Sequence, residues 1–221
     1  MLRAQFLRLM LATAALPFGA ALFGGALFGG AARAQGAVGD IAGRIVRLKG
    51  AASAMQDAQP RVLKESDAIF RGDVISTGRG ARLEMKMLDD AVMTLGEKTV
   101  FVVIDYVAGG AGPNAATRLI EGAFAASAGT IAKAPNGTMR VETDVATIGI
   151  RGTTVWGGMI DGDFQVALLS PGRIVVENRA GRTELTQNGD GTLIKGPSIA
   201  PSAPRAWGAE KQARAKATVA F

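Results

Sequence analysis

Between Gly36 and Pro197 no window the length of a helix sustains a helical apolar period; short-range alternation recurs instead. It is strictest in Ala81–Met87, where Ala81, Leu83, Met85 and Met87 fall on one face and Arg82, Glu84 and Lys86 on the other. Asp89-Asp90 then marks a turn, and Ala91–Leu95 reads as the returning strand. Further short strands are expected at Gly43–Leu48, Thr99–Val107, Arg118–Ala126, Met139–Thr143 and Ala146–Ile150. Beyond them, Thr153–Ile160 and Phe164–Leu169 flank Asp161-Gly162-Asp163, a hairpin signal. Arg173–Glu177, Arg182–Thr186 and Thr192–Lys195 complete the series. A strand and turn every ~8–12 residues is the pattern of an all-β chain. The expected fold is therefore all-β: stacked short antiparallel strands, β-solenoid-like or an irregular sandwich, with a short C-terminal helical tail.

The core of such a fold has to be aliphatic. Of nine Phe, two Trp and one Tyr, four phenylalanines (Phe6, Phe18, Phe23 and Phe28) lie in the N-terminal segment. Val, Ile, Leu, Ala and Met must do most of the filling, which suits thin layers of stacked strands. The glycine count of 30 fits a chain with many turns.

The first 34 residues read as a signal peptide. Arg3 and Arg8 supply a positive start, Leu9–Ala32 is uncharged, and Ala32-Arg33-Ala34 fits a small-x-small cleavage site with Gln35 as the new N-terminus. The competing reading is an uncleaved anchor, because the apolar stretch is long. Pro17 and the paired glycines weaken it as a membrane helix. Cleavage leaves residues 35–196 as the β domain, residues 197–221 as a Pro-rich linker and tail, and no stable membrane span. The mature chain is then expected in the periplasm or outside the cell.

Cysteine and histidine are both absent. That removes disulfides, metal centres with nitrogen or sulfur ligands, and every nucleophile–histidine arrangement. No carboxylate pair stands out as a glycosidase dyad. The reading is of a non-enzyme with no cofactor, no metal site and no catalytic residue. Removal of Arg3, Arg8 and Arg33 takes three charges from the formal +6, and the remaining charges are interspersed, so nucleic acid is not an expected partner.

Three stretches, in order, carry a resemblance. The first is Gly72-Asp73-Val74-Ile75-Ser76-Thr77-Gly78, followed by the Ala81–Met87 strand and Asp89-Asp90. The second is Leu119-Ile120-Glu121-Gly122-Ala123-Phe124. The third is Val141-Glu142-Thr143, then Ala146 through Ile150, then Arg151-Gly152-Thr153. Together, over residues 69–155 and more weakly to Gly191, they resemble the FecR domain, the periplasmic signalling module of bacterial iron-uptake regulators. Two positions depart from the family pattern: Asp90 stands where Gly is usual, and Asp144 where Pro often follows Thr143.

The resemblance implies an exported interaction module with a protein partner in the cell envelope. A cell-wall or polysaccharide-binding protein is the rival reading. It also marks Gly72, Asp73, Thr77, Gly78, Asp89, Gly122, Arg151, Gly152 and Thr153 as motif residues, expected to be structural. Arg151 in particular is expected to leave an apolar strand and tie neighbouring coils together, with Asp73 or Glu142 as its partner. The sharper alternative is a carboxylate or phosphate site at Arg151.

Overall fold

Each alternating strand has one apolar face to bury and one polar face to keep in water, and two sheets laid face to face satisfy both demands. The computed structural model describes residues 40–221, so the segment read as a signal peptide lies outside the described residues. In chain order the strands are β1 (Ile41–Lys49), β2 (Ala52–Gln56), β3 (Gln59–Val62), β4 (Ala68–Phe70), β5 (Val74–Thr77), β6 (Arg82–Met87), β7 (Val92–Leu95), β8 (Val100–Val107), β9 (Asn114–Glu121), β10 (Ala123–Ser127), β11 (Thr138–Glu142), β12 (Thr147–Arg151), β13 (Thr154–Ile160), β14 (Asp163–Leu168), β15 (Arg173–Asn178), β16 (Gly181–Leu185), β17 (Asp190–Ile194) and β18 (Arg205–Ala206). One helix, α1 (Ala209–Ala217), follows them.

The first sheet has nine strands in the order β18-β17-β14-β13-β10-β7-β6-β1-β4, and the second has nine in the order β16-β15-β12-β11-β9-β8-β5-β2-β3. Both orders run nearly with the sequence. The chain crosses repeatedly from one sheet to the other while both sheets grow in the same direction, and neither closes. This is the stacked, solenoid-like sandwich that the alternation called for.

The core is the thin layer between the sheets. Ile45, Leu83, Met85, Met93, Leu95 and Phe124 enter it from the first sheet, and Phe101, Val103, Val141, Ile148, Ile174 and Val176 from the second. Ala81, Leu83, Met85 and Met87 are all buried, as their alternation requires.

Strands β2 to β5 and β18 fall outside the expected series, and two further local features depart from expectation. The stretch Arg118–Ala126 is two strands in different sheets, broken at Gly122, where φ is +94°. A side chain there would also lie 2.6 Å from the Thr99 backbone, so only glycine fits the corner. The second departure is a consequence of the first. From β9 the chain passes into the other sheet as β10, turns through a short 3-10 segment at Ile131–Lys133, and re-enters as β11 parallel to β9. Every other pair of strands among the described residues is antiparallel.

The proline-rich segment after Gly196 is held on both sides. Ser202 N–H donates to the Leu193 carbonyl at 2.9 Å, Thr192 Oγ1 to the Ser202 carbonyl at 2.7 Å, and Asn178 Nδ2 to the Ile199 carbonyl at 2.7 Å. Thr183 on β16 and Thr192 on β17 thus share one strip of backbone, which spans the end of the sandwich.

Beyond it the tail straps the outer face of the first sheet. Trp207 packs edge-on against Trp156 with ring centroids 5.9 Å apart, and Ala215, Ile160, Ala167 and Ala123 complete a second small core. Trp156 Nε1 donates to Thr218 Oγ1 at 2.9 Å, and Arg47 lies over the Phe221 ring at 3.9 Å. Gly191 leaves the space that the Trp207 indole fills.

Truncating Trp207 to Ala empties that seat and is expected to cost about 3–5 kcal/mol in denaturant unfolding. The single remaining tryptophan, Trp156, should then shift its emission to the red. Gly191→Val should weaken the strap by the same route, since its side chain meets the indole. Unchanged midpoints and unshifted emission would contradict the strap's contribution.

Candidate interaction face

The motif residues do not converge on one pocket; all but Arg151 sit at corners and crossings of the fold. Gly72 adopts φ +89° in the turn between β4 and β5, which sets Asp73 inward. Asp73 is fully buried and accepts from Arg61 Nη1 at 2.8 Å, from Arg61 Nη2, and from the Phe70 N–H at 2.8 Å. Arg61 comes from the edge strand β3 and also donates to the Ala68 carbonyl at 3.2 Å.

Thr77 Oγ1 donates to the Gly96 carbonyl at 2.6 Å and accepts from the Thr99 N–H at 2.9 Å. Gly78 N–H reaches the Ala51 carbonyl at 2.9 Å. Asp89 is buried and accepts from the Tyr106 hydroxyl, from Ala91 N–H at 3.1 Å and from Ile131 N–H at 3.1 Å. It thereby joins a hairpin of the first sheet, a strand of the second and the 3-10 turn. Thr153 Oγ1 donates to the Ser170 carbonyl at 2.6 Å, and Gly152 carries φ +60°. Thr77 and Gly122 meet around Thr99, a residue that sequence reading passed over.

Arg151 differs from its expected role. It is exposed and makes no ion pair or side-chain hydrogen bond among the described residues. Asp73 is taken by Arg61. Glu142 is taken by Arg118 at 2.6 Å and Arg140 at 3.3 Å, and the hydrogen bond from Arg118 holds its carboxyl below the ordinary glutamate range. The cause is parity. Ile148 and Ile150 point into the core, so Arg151, one residue on, points out. The buried tie exists, but Arg61 makes it.

Arg151 stands at one end of a shallow groove of about 620 Å³ on the outer face of the second sheet. The floor is Thr147 and Gly149 on β12. One wall is Arg140 on β11; the other is Arg173, Val175 and Glu177 on β15. Register places Arg151 opposite Arg173, Gly149 opposite Val175, and Thr147 opposite Glu177. A hollow of about 640 Å³ lies across the molecule, between Asp163, Lys195, Arg205 and Trp207. Its walls are the strap and the strap's own seat, and Asp161 beside it already pairs with Arg214 at 2.6 Å. Among the described residues no group of three acids stands close enough to hold a metal ion, and no helix is long and apolar enough to cross a membrane.

The outer face of the second sheet changes character across its width. One row of cross-strand neighbours runs Pro60, Met55, Val74, Val102, Arg118, Glu142, Thr147, Glu177, Arg182. It starts apolar and ends charged. On the apolar side Val62 is 75% exposed, Ile120 51% and Met55 45%.

Two measurements check these assignments. Asp73→Ala strands Arg61 and the Phe70 N–H and should cost about 3 kcal/mol, whereas Arg151→Ala should stay within about 0.5 kcal/mol of wild type. The reverse ranking in denaturant melts would restore Arg151 as the tie. Tyr106, the single tyrosine, is held well above the usual phenol range by burial and then by its bond to Asp89. Its neutral form therefore contributes stability that is complete below about pH 10 and is lost as pH rises further. Alkaline titration should show no tyrosinate step until the circular dichroism collapses. A free step near pH 10 in folded protein would contradict the buried bond.

Comparison with known proteins agrees with this geometry. The model of the FecR protein family matches residues 73–175, from the buried Asp73 to β15 on the groove wall. Two crystal structures of a candidate anti-sigma factor from Parabacteroides distasonis share the fold at a TM-score of 0.51 and 15% identity. The overlap covers 63% of this chain and 62% of that one, so the chain spans under two thirds of its neighbour's length. A cell surface anchoring domain shares 28% identity over 28% of this chain and 83% of its own, but at a TM-score of 0.28 the backbones do not correspond. No curated protein sequence matches. Residues 73–175 thus match the FecR protein family, and the β domain around them shares the fold of these solved structures.

Proposed function

We propose that this domain is a non-catalytic protein-binding module of a bacterial envelope signalling system, acting after export in the periplasm or outside the cell. The observation that carries the reading is the open outer face of the second sheet. It sets exposed Met55, Val62, Ile104 and Ile120 beside the Arg118–Arg182 charges, on a sheet that nothing else in the described chain covers. On the first sheet the strap covers Trp156, Ile160 and Ala167. An apolar patch with a charged flank is the composition of a protein interface. The family match and the neighbour's description as an anti-sigma factor support a regulatory role, and the signal-like N-terminus supports export.

The test is site-specific photo-crosslinking in the native host. A photoreactive residue at Met55 or Val175 should give a discrete adduct with an envelope protein, and one at Lys211 on the strap should not. The recovered chain should begin at Gln35. Adducts from the strap alone, or none from the face, would reject this reading. A chain still beginning at Met1 in the membrane fraction would replace export by anchoring.

A further inference from the structure

We propose that the groove along β12 binds an extended segment of the partner protein in which an acidic side chain, a small apolar one and a basic one occupy alternate positions. This rests on the protein-binding reading above and names the chemistry of the partner at that face.

The first ground is Gly149. It sits in the interior of β12, where glycine weakens a strand. Its backbone does not need glycine, since its φ is not in the left-handed range. Packing does not need it either. A Cβ there would meet the Val175 carbonyl oxygen at 3.7 Å and Val175 Cβ at 3.9 Å, ordinary contact distances. What the missing side chain provides is the gap itself, between Arg140 on one side and Val175 on the other.

The second ground is charge. Arg151 faces Arg173 directly across the strand pair, an unfavourable arrangement in a sheet. Arg173 is answered by Glu184 at 2.7 Å, and Arg151 by nothing among the described residues. At the opposite end Glu177 is likewise in no ion pair among the described residues, because its cross-strand neighbour Arg182 reaches Glu184 instead, at 4.0 Å. Arg140, midway, is held by Glu142 at 3.3 Å and by Asn114 at 3.0 Å. The groove thus has an unanswered cation at one end, an unanswered carboxylate at the other, and between them a gap with Val175 as its apolar side.

The spacing then specifies the ligand. From Arg151 to the Thr147–Glu177 row is four strand residues, about 13 Å. An extended peptide laid along β12 has the same rise per residue, and its side chains at i, i+2 and i+4 point the same way. An acid at i meets Arg151, an alanine- or valine-sized residue at i+2 fills the space over Gly149, and a lysine or arginine at i+4 meets Glu177.

The probe is a short, fluorescein-labelled, Val/Thr-rich peptide with Glu and Lys four positions apart, read by fluorescence anisotropy on the mature chain. The control peptide sets the same two charges three apart, which puts them on opposite faces. The first peptide should bind. Arg151→Glu or Glu177→Lys should each weaken it about tenfold, and Gly149→Leu should block it with the melting temperature unchanged. If Gly149→Leu fails to fold, Arg151→Glu carries the same test from a fully outward position. Equal binding of the two peptides, or affinity indifferent to Arg151→Glu and Gly149→Leu, overturns the proposal. So does concentration-dependent self-association that Arg151→Glu abolishes, which would make a second copy the occupant. Crosslinks from the face together with peptide indifference would leave the binding module standing and remove only this ligand.

Discussion

Burying a carboxyl group is tolerable only where donors surround it, and this sandwich is organised around two such places. Asp73 sits where the chain leaves the first sheet for the second, and it gathers the edge strand β3 through Arg61 and the turn through Phe70 N–H. Asp89 closes the β6–β7 hairpin, and draws in Tyr106 from the other sheet and Ile131 from the 3-10 turn. Aliphatic side chains between two open sheets supply free energy but little direction. The directional bonds of Asp73, Thr77 and Thr153 pin the crossovers after β4, β5 and β12, and Asp89 ties the β6–β7 hairpin to the second sheet.

The two outer faces have different fates. The first sheet presents Trp156, Ile160 and Ala167, and the chain covers them itself with Trp207, Ala215 and Val219. The helix in that strap has nine residues and would be marginal alone; its seat, cut by Gly191, keeps it in place. The second sheet has no such cover within the described chain. The proposed interaction module needs one stable face and one available face, and this arrangement provides both.

The all-β class, β1, the strands from β6 to β17 and the hairpin at Asp161-Gly162 were legible in the sequence because period-two alternation and turn chemistry are local signals, whereas the short strands β2 to β5 and β18 were not. The pairing of β9 with β11 was not, because a parallel register depends on where the chain re-enters a sheet, and one glycine, Gly122, decides it. The partners of the motif residues were not legible. Arg151 was expected to be the tie, yet the run Thr147-Ile148-Gly149-Ile150-Arg151 already placed it outward by parity. Arg61, the actual partner of Asp73, sits beside Pro60 in an edge strand with no motif around it. The groove escaped notice for a related reason: a glycine in a strand pattern looks like a weak strand until its neighbours on both sides are known.

The account stands or falls on the open face of the second sheet being the one that recognises a partner. Amide chemical-shift mapping of the isotope-labelled chain on addition of the acidic–apolar–basic peptide tests this most directly. The prediction is a contiguous set of shifts on β11, β12 and β15, centred on Gly149 and Arg151, with the strap from Trp207 to Phe221 unmoved. Shifts concentrated on the strap and Trp156, or scattered over the edge strands with β12 silent, would contradict it.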